Sequence, residues 1–359
     1  MPKIAIIGTT SWGTTLGCVL ARNGTDISLW ARTEQEANEL TKAGTSPRLA
    51  NDICFPPQLS ITSSLNEALS KAKAVILVPP SQSMRQNMRL IAPHINKSML
   101  IVSASKGLET NSGKRMSQVI AEEIKPDFQS NICVLSGPNL SQEIHNGLPA
   151  ATVIAAEDEA IARKAQKLST APNLCIFTNH DVLGVELGGS LKNIFALGAG
   201  ITDGLGYGDN AKSALITRGL TEMTALGVAL GASAITFAGL TGLGDLIATC
   251  ASPLSRNHYV GVELAKGRSL KEITDSMTGV ADGATPTGVA EGVTTTRAVW
   301  IIARQMGLEM PITETIYRVL YEGADLRQAA AELMNAEASH ELAGRKWRLF
   351  SALKARRRS

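Results

Sequence analysis

The sequence has 359 residues, 44% of them hydrophobic and 19% charged, with a formal net charge of +3. That length predicts two domains, and the composition is that of a globular chain with a large core rather than a disordered or fibrous one. The small net charge and the 4% aromatic content argue against a polyanion partner and against the stacking surface of a single-strand nucleic-acid binder, so no nucleic-acid partner is expected.

The chain opens on a predicted strand, Ile4-Ala5-Ile6-Ile7, followed by Gly8-Thr9-Thr10-Ser11-Trp12-Gly13 and a helix to Arg22. Strand, glycine turn and helix together suit a dinucleotide: Gly8 permits the tight turn, and the helix N-terminus offers N–H groups and a positive dipole end to a pyrophosphate. Gly8, Ser11, Trp12 and Gly13 are therefore candidate cofactor residues. The full fingerprint has glycine where Thr10 stands, so by motif alone an ordinary strand-to-helix turn fits as well. The second predicted strand, Ile27-Ser28-Leu29-Trp30, leads to Arg32. A strict NAD enzyme carries an acid there, whereas an arginine suits a 2′-phosphate and favours NADP; a plain surface arginine satisfies the same pattern.

Further apolar runs at Ala74-Val75-Ile76-Leu77-Val78, Met99-Leu100-Ile101-Val102 and Ile132-Cys133-Val134-Leu135 read as strands covered on both faces. Amphipathic stretches at 34–42 and 114–123 lie between strands, and two shorter strands near 151–155 and 174–178 extend the sheet. The alternation predicts a parallel α/β sheet. The loop Ser103-Ala104-Ser105-Lys106-Gly107 follows a strand at the carboxyl edge, where ligands bind, and puts Lys106 in reach of an anion or a carbonyl. A solvated loop lysine is the competing reading. Ser136-Gly137-Pro138-Asn139 opens the next helix, with Asn139 and Gln142 spaced as a cap.

After His180 the texture changes. Residues 182–199, 210–230, 259–266 and 294–306 have helical period, which predicts an all-helical second domain. Within the first of these, Lys192-Asn193 is a polar pair in an apolar, small-residue helix and requires a partner. A lysine desolvated there beside a second cation would have its pKa lowered from about 10.4 toward neutrality, as a proton donor to a forming alkoxide needs; a lysine snorkelling to the surface is the alternative. Asp245 follows the glycine turn Gly242-Leu243-Gly244, which could aim it at a hydroxyl; for it and for the segment that comes next, a cap or turn role is the alternative. Ser255-Arg256-Asn257 offers a guanidinium fork and short polar groups, a chemistry suited to phosphate. Residues 278–288, rich in Gly, Thr, Pro and Ala, read as a loop. A basic tail covers 351–359.

The cysteines Cys18, Cys54, Cys133, Cys175 and Cys250 are odd in number and scattered, which argues against a disulfide framework and against a zinc site, so no metal is expected. The chain shows neither a leader pattern nor an uninterrupted apolar stretch of bilayer length, and a cytoplasmic location without stable membrane insertion is expected.

Taken in order, these segments resemble the bacterial NAD(P)-dependent glycerol-3-phosphate dehydrogenases. The matches are Gly8 with Ser11-Trp12-Gly13, Ser105 to Glu109, Ser136-Gly137-Pro138, the long block 186–219, Gly242 to Leu246 and Ser252 to Asn257. The resemblance implies a Rossmann-type doubly wound sheet over 1–180 and a helical substrate domain over 181–350. It implies an oxidoreductase that interconverts dihydroxyacetone phosphate and sn-glycerol 3-phosphate with NADP or NAD, supplies glycerol 3-phosphate for glycerophospholipid synthesis, and forms a homodimer. Lys192 is then the catalytic proton acceptor in oxidation and donor in reduction. Lys106, Gly137, Asn139, Lys192, Asp245, Ser255, Arg256 and Asn257 surround the substrate, a triose phosphate. Ser11, Trp12, Arg32, Lys106, Ser141, Arg256, Val289 and Glu291 touch the cofactor. For the last two, the match Val289-Ala290-Glu291-Gly292 is preferred to Val280-Ala281-Asp282-Gly283 because 293–295 continue the pattern. A hydroxyacid dehydrogenase of the same architecture, or a non-catalytic dinucleotide sensor, are the rival classes.

Overall fold

Strands that are apolar on both faces require cover on both faces, and the first half of the chain supplies it. The computed structural model describes residues 2–49, 54–278 and 290–334. Eight strands, β1 (Lys3–Ile7), β2 (Asp26–Trp30), β3 (Leu59–Thr62), β4 (Ala72–Leu77), β5 (Leu100–Ser103), β6 (Ile132–Ser136), β7 (Ala150–Ala155) and β8 (Leu174–Asn179), form one sheet in the order 3-2-1-4-5-6-7-8. Around it lie α1 (Ser11–Arg22), α2 (Glu34–Ala43), α3 (Leu65–Leu69), α4 (Met84–Ile91), α5 (Met116–Glu123), α6 (Ser141–His145) and α7 (Glu159–Ser169). The period of two in β1 shows how the layers divide. Ile4 and Ile6 join the core that holds Leu16 and Leu20 of α1, while Ala5 and Ile7 join Met84 and Met88 of α4 and Val119 of α5 on the other face.

Two features of the sheet differ from the sequence reading. β3 was not expected: Leu59-Ser60-Ile61-Thr62 is a four-residue edge strand with only its two end residues buried, so it lacks the continuous apolar run of the inner strands. β7 also runs antiparallel to β6, whereas all the other neighbouring strands are parallel. The connection between them carries only the five-residue α6.

Strands end at Asn179 and helices begin at Val182. The second layer consists of α8 (Val182–Gly204), α9 (Gly208–Ala229), α10 (Ala234–Phe237), α11 (Asp245–Ala251), α12 (Arg256–Ala265), α13 (Leu270–Thr278), α14 (Glu291–Met306), α15 (Pro311–Tyr321) and α16 (Leu326–Met334). α8 is the axis of this layer: every residue from Gly184 to Thr202 is buried. Its side chains Leu187, Leu191, Ile194, Phe195 and Leu197 share a core with Met223, Phe237, Val260, Val293 and Ile316. One window, Ala234–Ala251, has the length and mean hydropathy of a membrane span, although Asp245 interrupts its apolar run. It is not a continuous α-helix. It breaks into α10, a π-helical turn at Leu240–Gly244, and α11, and it carries the fully buried Asp245. The expected loop at 278–288 and basic tail at 351–359 lie outside the described residues, apart from Thr278, the last residue of α13.

A buried carboxylate joins α9 to α15. Glu222 accepts hydrogen bonds from the N–H groups of Ile312 (2.6 Å) and Thr313 (3.2 Å) and from the Thr313 hydroxyl (2.9 Å), satisfying donors that the first turn of α15 leaves open. Burial pushes its carboxyl up to about 7, against those donors. A folded-state pKa raised above the unfolded value contributes stability that is complete below the unfolded pKa and lost as pH rises through the folded one. We expect Glu222→Ala to strand buried donors at a cost of about 3 kcal/mol in urea unfolding. The deficit against wild type should be larger at pH 5 than at pH 8, and a deficit that grows with pH would contradict this account.

Candidate functional site

In an open parallel sheet the ligand crevice lies beyond the carboxyl ends of the strands, where the strand order reverses. Here that point is between β1 and β4. Gly8, directly after β1, has φ +115°, and a Cβ on it would sit 3.4 Å from the Val78 backbone beyond β4. Thr10 has ordinary extended torsions and is the N-cap of α1: its hydroxyl accepts from the Gly13 N–H (3.1 Å) and donates to the Val78 carbonyl (3.2 Å). The threonine that replaces the second fingerprint glycine thus closes the turn against β4. The N–H groups of Ser11 and Trp12 make no hydrogen bond among the described residues. The Trp12 indole N–H is also buried and unpaired. A glycine turn, open helix-terminal donors and an unpaired buried donor fit a dinucleotide.

At the end of β2, Arg32 is exposed and its guanidinium donates to the Asn87 side chain at 3.4 Å. Four residues on, Glu36 of α2 accepts from the Arg32 N–H at 3.3 Å and from Arg48 at 3.0 Å. Arg48, which the sequence reading did not single out, also donates to the carbonyl and hydroxyl of Thr9 in the glycine turn, and its own carbonyl accepts from the Ser11 hydroxyl. No motif marks Arg48, because its place depends on how the segment after α2 folds back.

The second cluster joins the two layers. Lys106, on the loop after β5, donates to the Gly137 carbonyl and to Asp245 Oδ2, both at 2.7 Å. Lys192, from the middle of α8, bonds Asp245 Oδ1. Asp245 is 0% exposed, and the side chains of Lys106 and Lys192 are 16% and 9% exposed. Asp245 was expected to aim at a hydroxyl; instead both of its carboxylate oxygens accept from lysines, and Thr249, one turn along α11, adds a contact at 3.4 Å. The second cation expected beside Lys192 is therefore Lys106. Burial pulls the Lys106 ammonium down to about 7; the Asp245 charge opposes that shift and the Lys192 charge adds to it. Close approach is possible because Gly188 and Gly189 carry no side chain. A Cβ on the first would lie 2.3 Å from the Thr241 carbonyl, and one on the second 2.2 Å from the Ser136 hydroxyl. The Ser190 hydroxyl then accepts from the Gly107 N–H at 3.0 Å.

The remaining candidates divide. Asn193 pairs with Asn257, whose amide donates to it at 3.0 Å and accepts from the Gly292 N–H at 2.9 Å. The Asn257 side chain is thus committed to holding α8, α12 and α14 together. Ser255 is the N-cap of α12, accepting from the His258 N–H at 3.3 Å, and Arg256 is exposed on the first turn of that helix. Glu291 accepts from the N–H (2.9 Å) and hydroxyl of Ser81. Burial raises its pKa, with those Ser81 bonds and the Arg256 charge opposing. Asn139 is not a helix cap: α6 starts at Ser141 with Leu140 at the N-cap, because the chain stays extended one residue longer. Both polar atoms of the Asn139 side chain are buried without a partner among the described residues. The Ser141 carbonyl accepts from Thr15 of α1. Val289 lies outside the described residues. Arg32 and Ser11 thus belong to one cluster, and Lys106, Gly137, Lys192 and Asp245 to another.

Comparison with known proteins agrees along the whole described chain. Residues 3–162 match the family model of the NAD-dependent glycerol-3-phosphate dehydrogenase N-terminus, and residues 181–331 that of its C-terminus. The chain is 61% identical over 359 residues to a glycerol-3-phosphate dehydrogenase [NAD(P)+] of Dehalococcoides mccartyi, covering 99% of this chain and 97% of that protein. It is 44% identical over 339 residues to one from Geobacter metallireducens, covering 94% and 98%. The crystal structure of glycerol-3-phosphate dehydrogenase from Coxiella burnetii superposes with a TM-score of 0.85 at 34% identity, over 93% of this chain and 99% of that one. The chain belongs to the NAD-dependent glycerol-3-phosphate dehydrogenase family.

The lysine pair predicts a pH dependence. Only the charged form of Lys106 can attract an anion, so a role for it in holding dihydroxyacetone phosphate predicts that kcat/KM falls as pH rises through about 7. Asp245→Asn removes the charge that holds the Lys106 pKa up. We expect its kcat/KM to drop at least about a hundredfold and its inflection to move to lower pH; an unchanged profile would separate Asp245 from the chemistry.

Proposed function

We propose a division of labour among these residues for the reaction of the family. The chain is an oxidoreductase that interconverts dihydroxyacetone phosphate and sn-glycerol 3-phosphate by hydride transfer with NAD(P)H. The nicotinamide, when bound, supplies or accepts the hydride at C2 of the triose. In reduction, Lys192 gives a proton to the oxygen that forms at C2; in oxidation it takes that proton back. The observation that carries this role is the pairing of Lys192 with Asp245 at the crevice edge, where a second cation, Lys106, shares the same carboxylate. Two ammonium groups about one buried anion leave a net positive field, which favours a developing alkoxide.

Arg256 and the N-terminal turn of α12 provide charge and backbone donors of the kind that a phosphate group needs. The unpaired Asn139 amide, two residues past Gly137, is the further polar group the substrate side offers. Gly8, Gly13 and the open N–H groups of Ser11 and Trp12 form the pyrophosphate end, with Ser141, Glu291 and Val289 as the remaining cofactor positions. Arg32 favours NADPH. In this reading, 1–180 is the dinucleotide domain, 181–350 the substrate domain, and 351–359 a basic tail. The enzyme acts as a cytoplasmic homodimer whose product feeds glycerophospholipid synthesis, a reading supported by the family relationship.

Lys192→Ala should nearly abolish turnover while NADPH binding, followed by fluorescence, survives; full activity in that variant would refute the proton-transfer role. Arg32→Ala should weaken NADPH by roughly tenfold and NADH much less, and equal losses would remove the 2′-phosphate contact from this account.

A further inference from the structure

The end of β2 holds both signs of charge. Arg32 holds the strand-end place where NAD-specific sheets carry the ribose acid, and Glu36, on the first turn of α2, brings a carboxylate to the Arg32 N–H. Its carboxylate is already occupied: Oε1 accepts from the Thr9 hydroxyl at 2.6 Å and from Arg48 at 3.0 Å, and Oε2 accepts from the Arg32 N–H at 3.3 Å. Arg48 is held in turn by the Thr9 carbonyl and by the Thr9 hydroxyl at 2.7 Å, with its side chain 10% exposed. The pair therefore sits in a partly desolvated place, where a charge is poorly screened.

We propose that Arg48 is a positioning residue for cofactor specificity: by neutralising Glu36 and tying it to the glycine turn, it lets Arg32 meet the 2′-phosphate of NADP. The inference rests on the reading that Arg32 takes that phosphate. An unpaired Glu36 next to Arg32 would repel a 2′-phosphate and would regain free oxygens for the hydroxyls of an unphosphorylated ribose. Paired, it does neither. Specificity then depends on the balance among Arg32, Glu36 and Arg48, and Arg48 acts on the cofactor through Glu36. The backbone bond from the Ser11 hydroxyl to the Arg48 carbonyl does not depend on the Arg48 side chain, so its replacement leaves that link to the turn in place.

The test is equilibrium titration of the full chain with NADPH and with NADH, without substrate, because the two differ only in the 2′-phosphate. Arg48→Ala should raise the Kd for NADPH roughly tenfold and leave that for NADH within about twofold. Glu36→Gln, which leaves the Arg48 charge without its Glu36 partner, should tighten NADPH by roughly threefold and leave NADH within about twofold, and the NADPH effect should shrink at high salt. It probes the same balance if the Arg48 variant fails to fold. Equal weakening of both cofactors by Arg48→Ala would make the arginine a mere support for the turn and overturn the proposal. An unchanged ratio in Glu36→Gln would overturn it as well. Arg32→Ala, run alongside, separates the two levels. Discrimination lost there but not at Arg48 sinks only the present inference. No discrimination at Arg32 sinks the 2′-phosphate reading and this one with it.

Discussion

A single buried carboxylate, Asp245, holds the two layers of this protein together at its site. It accepts from Lys106, which belongs to the loop after β5, and from Lys192, in the middle of α8. Neither lysine could occupy its place alone at low cost, since an isolated ammonium taken out of water loses several kcal/mol of hydration. With one anion between two cations the cluster retains a net positive charge in a poorly screened place. That is the electrostatic arrangement required opposite a carbonyl oxygen gaining negative charge. The geometry follows from small residues: Gly188 and Gly189 let α8 approach the Thr241 carbonyl and the Ser136 hydroxyl.

Polar side chains of the helical layer also reach the sheet layer at other points. Glu186 of α8 accepts from the N–H (2.7 Å) and hydroxyl (2.5 Å) of Ser117 on α5 and from Arg115. Glu291 holds Ser81, and Ser190 accepts from the Gly107 N–H. In each case a side chain of the helical layer satisfies a backbone donor of the sheet layer that would otherwise be stranded. These bonds are directional, so they set the register of the helical layer over the crevice, which apolar packing alone would leave free to slide.

How far the sequence could be read depended on the range of the interaction. The inner strands and the long helices were legible, because their signal is local periodicity. β3 was not, because a short edge strand has no apolar run. The direction of β7 was not, because an apolar run marks a buried strand but not which way it pairs with its neighbour. Asn139 looked like a cap by spacing alone, yet the chain enters α6 only at Ser141. Lys192-Asn193 was recognisable as a polar pair needing partners, but nothing in the local pattern names Asp245 or Asn257 as those partners.

By itself the sequence determined the alternating sheet half, the helical half, the glycine turn and the residue types that suit a nicotinamide and a triose phosphate. Periodicity and turn chemistry act over a few residues, so they survive in one dimension. Only the tertiary structure decided which charges meet. Lys106, Lys192 and Asp245 are 53 to 139 residues apart in the pairs they form, and Arg48 reaches Thr9 across 39. The pairing, and with it the lowered pKa of Lys106, arises from burial and from distances of a few ångströms, which no spacing along the chain encodes. The glycine turn shows both sides: its identity was local, while the role of Thr10 as a cap tied to Val78 required β4 to be beside it.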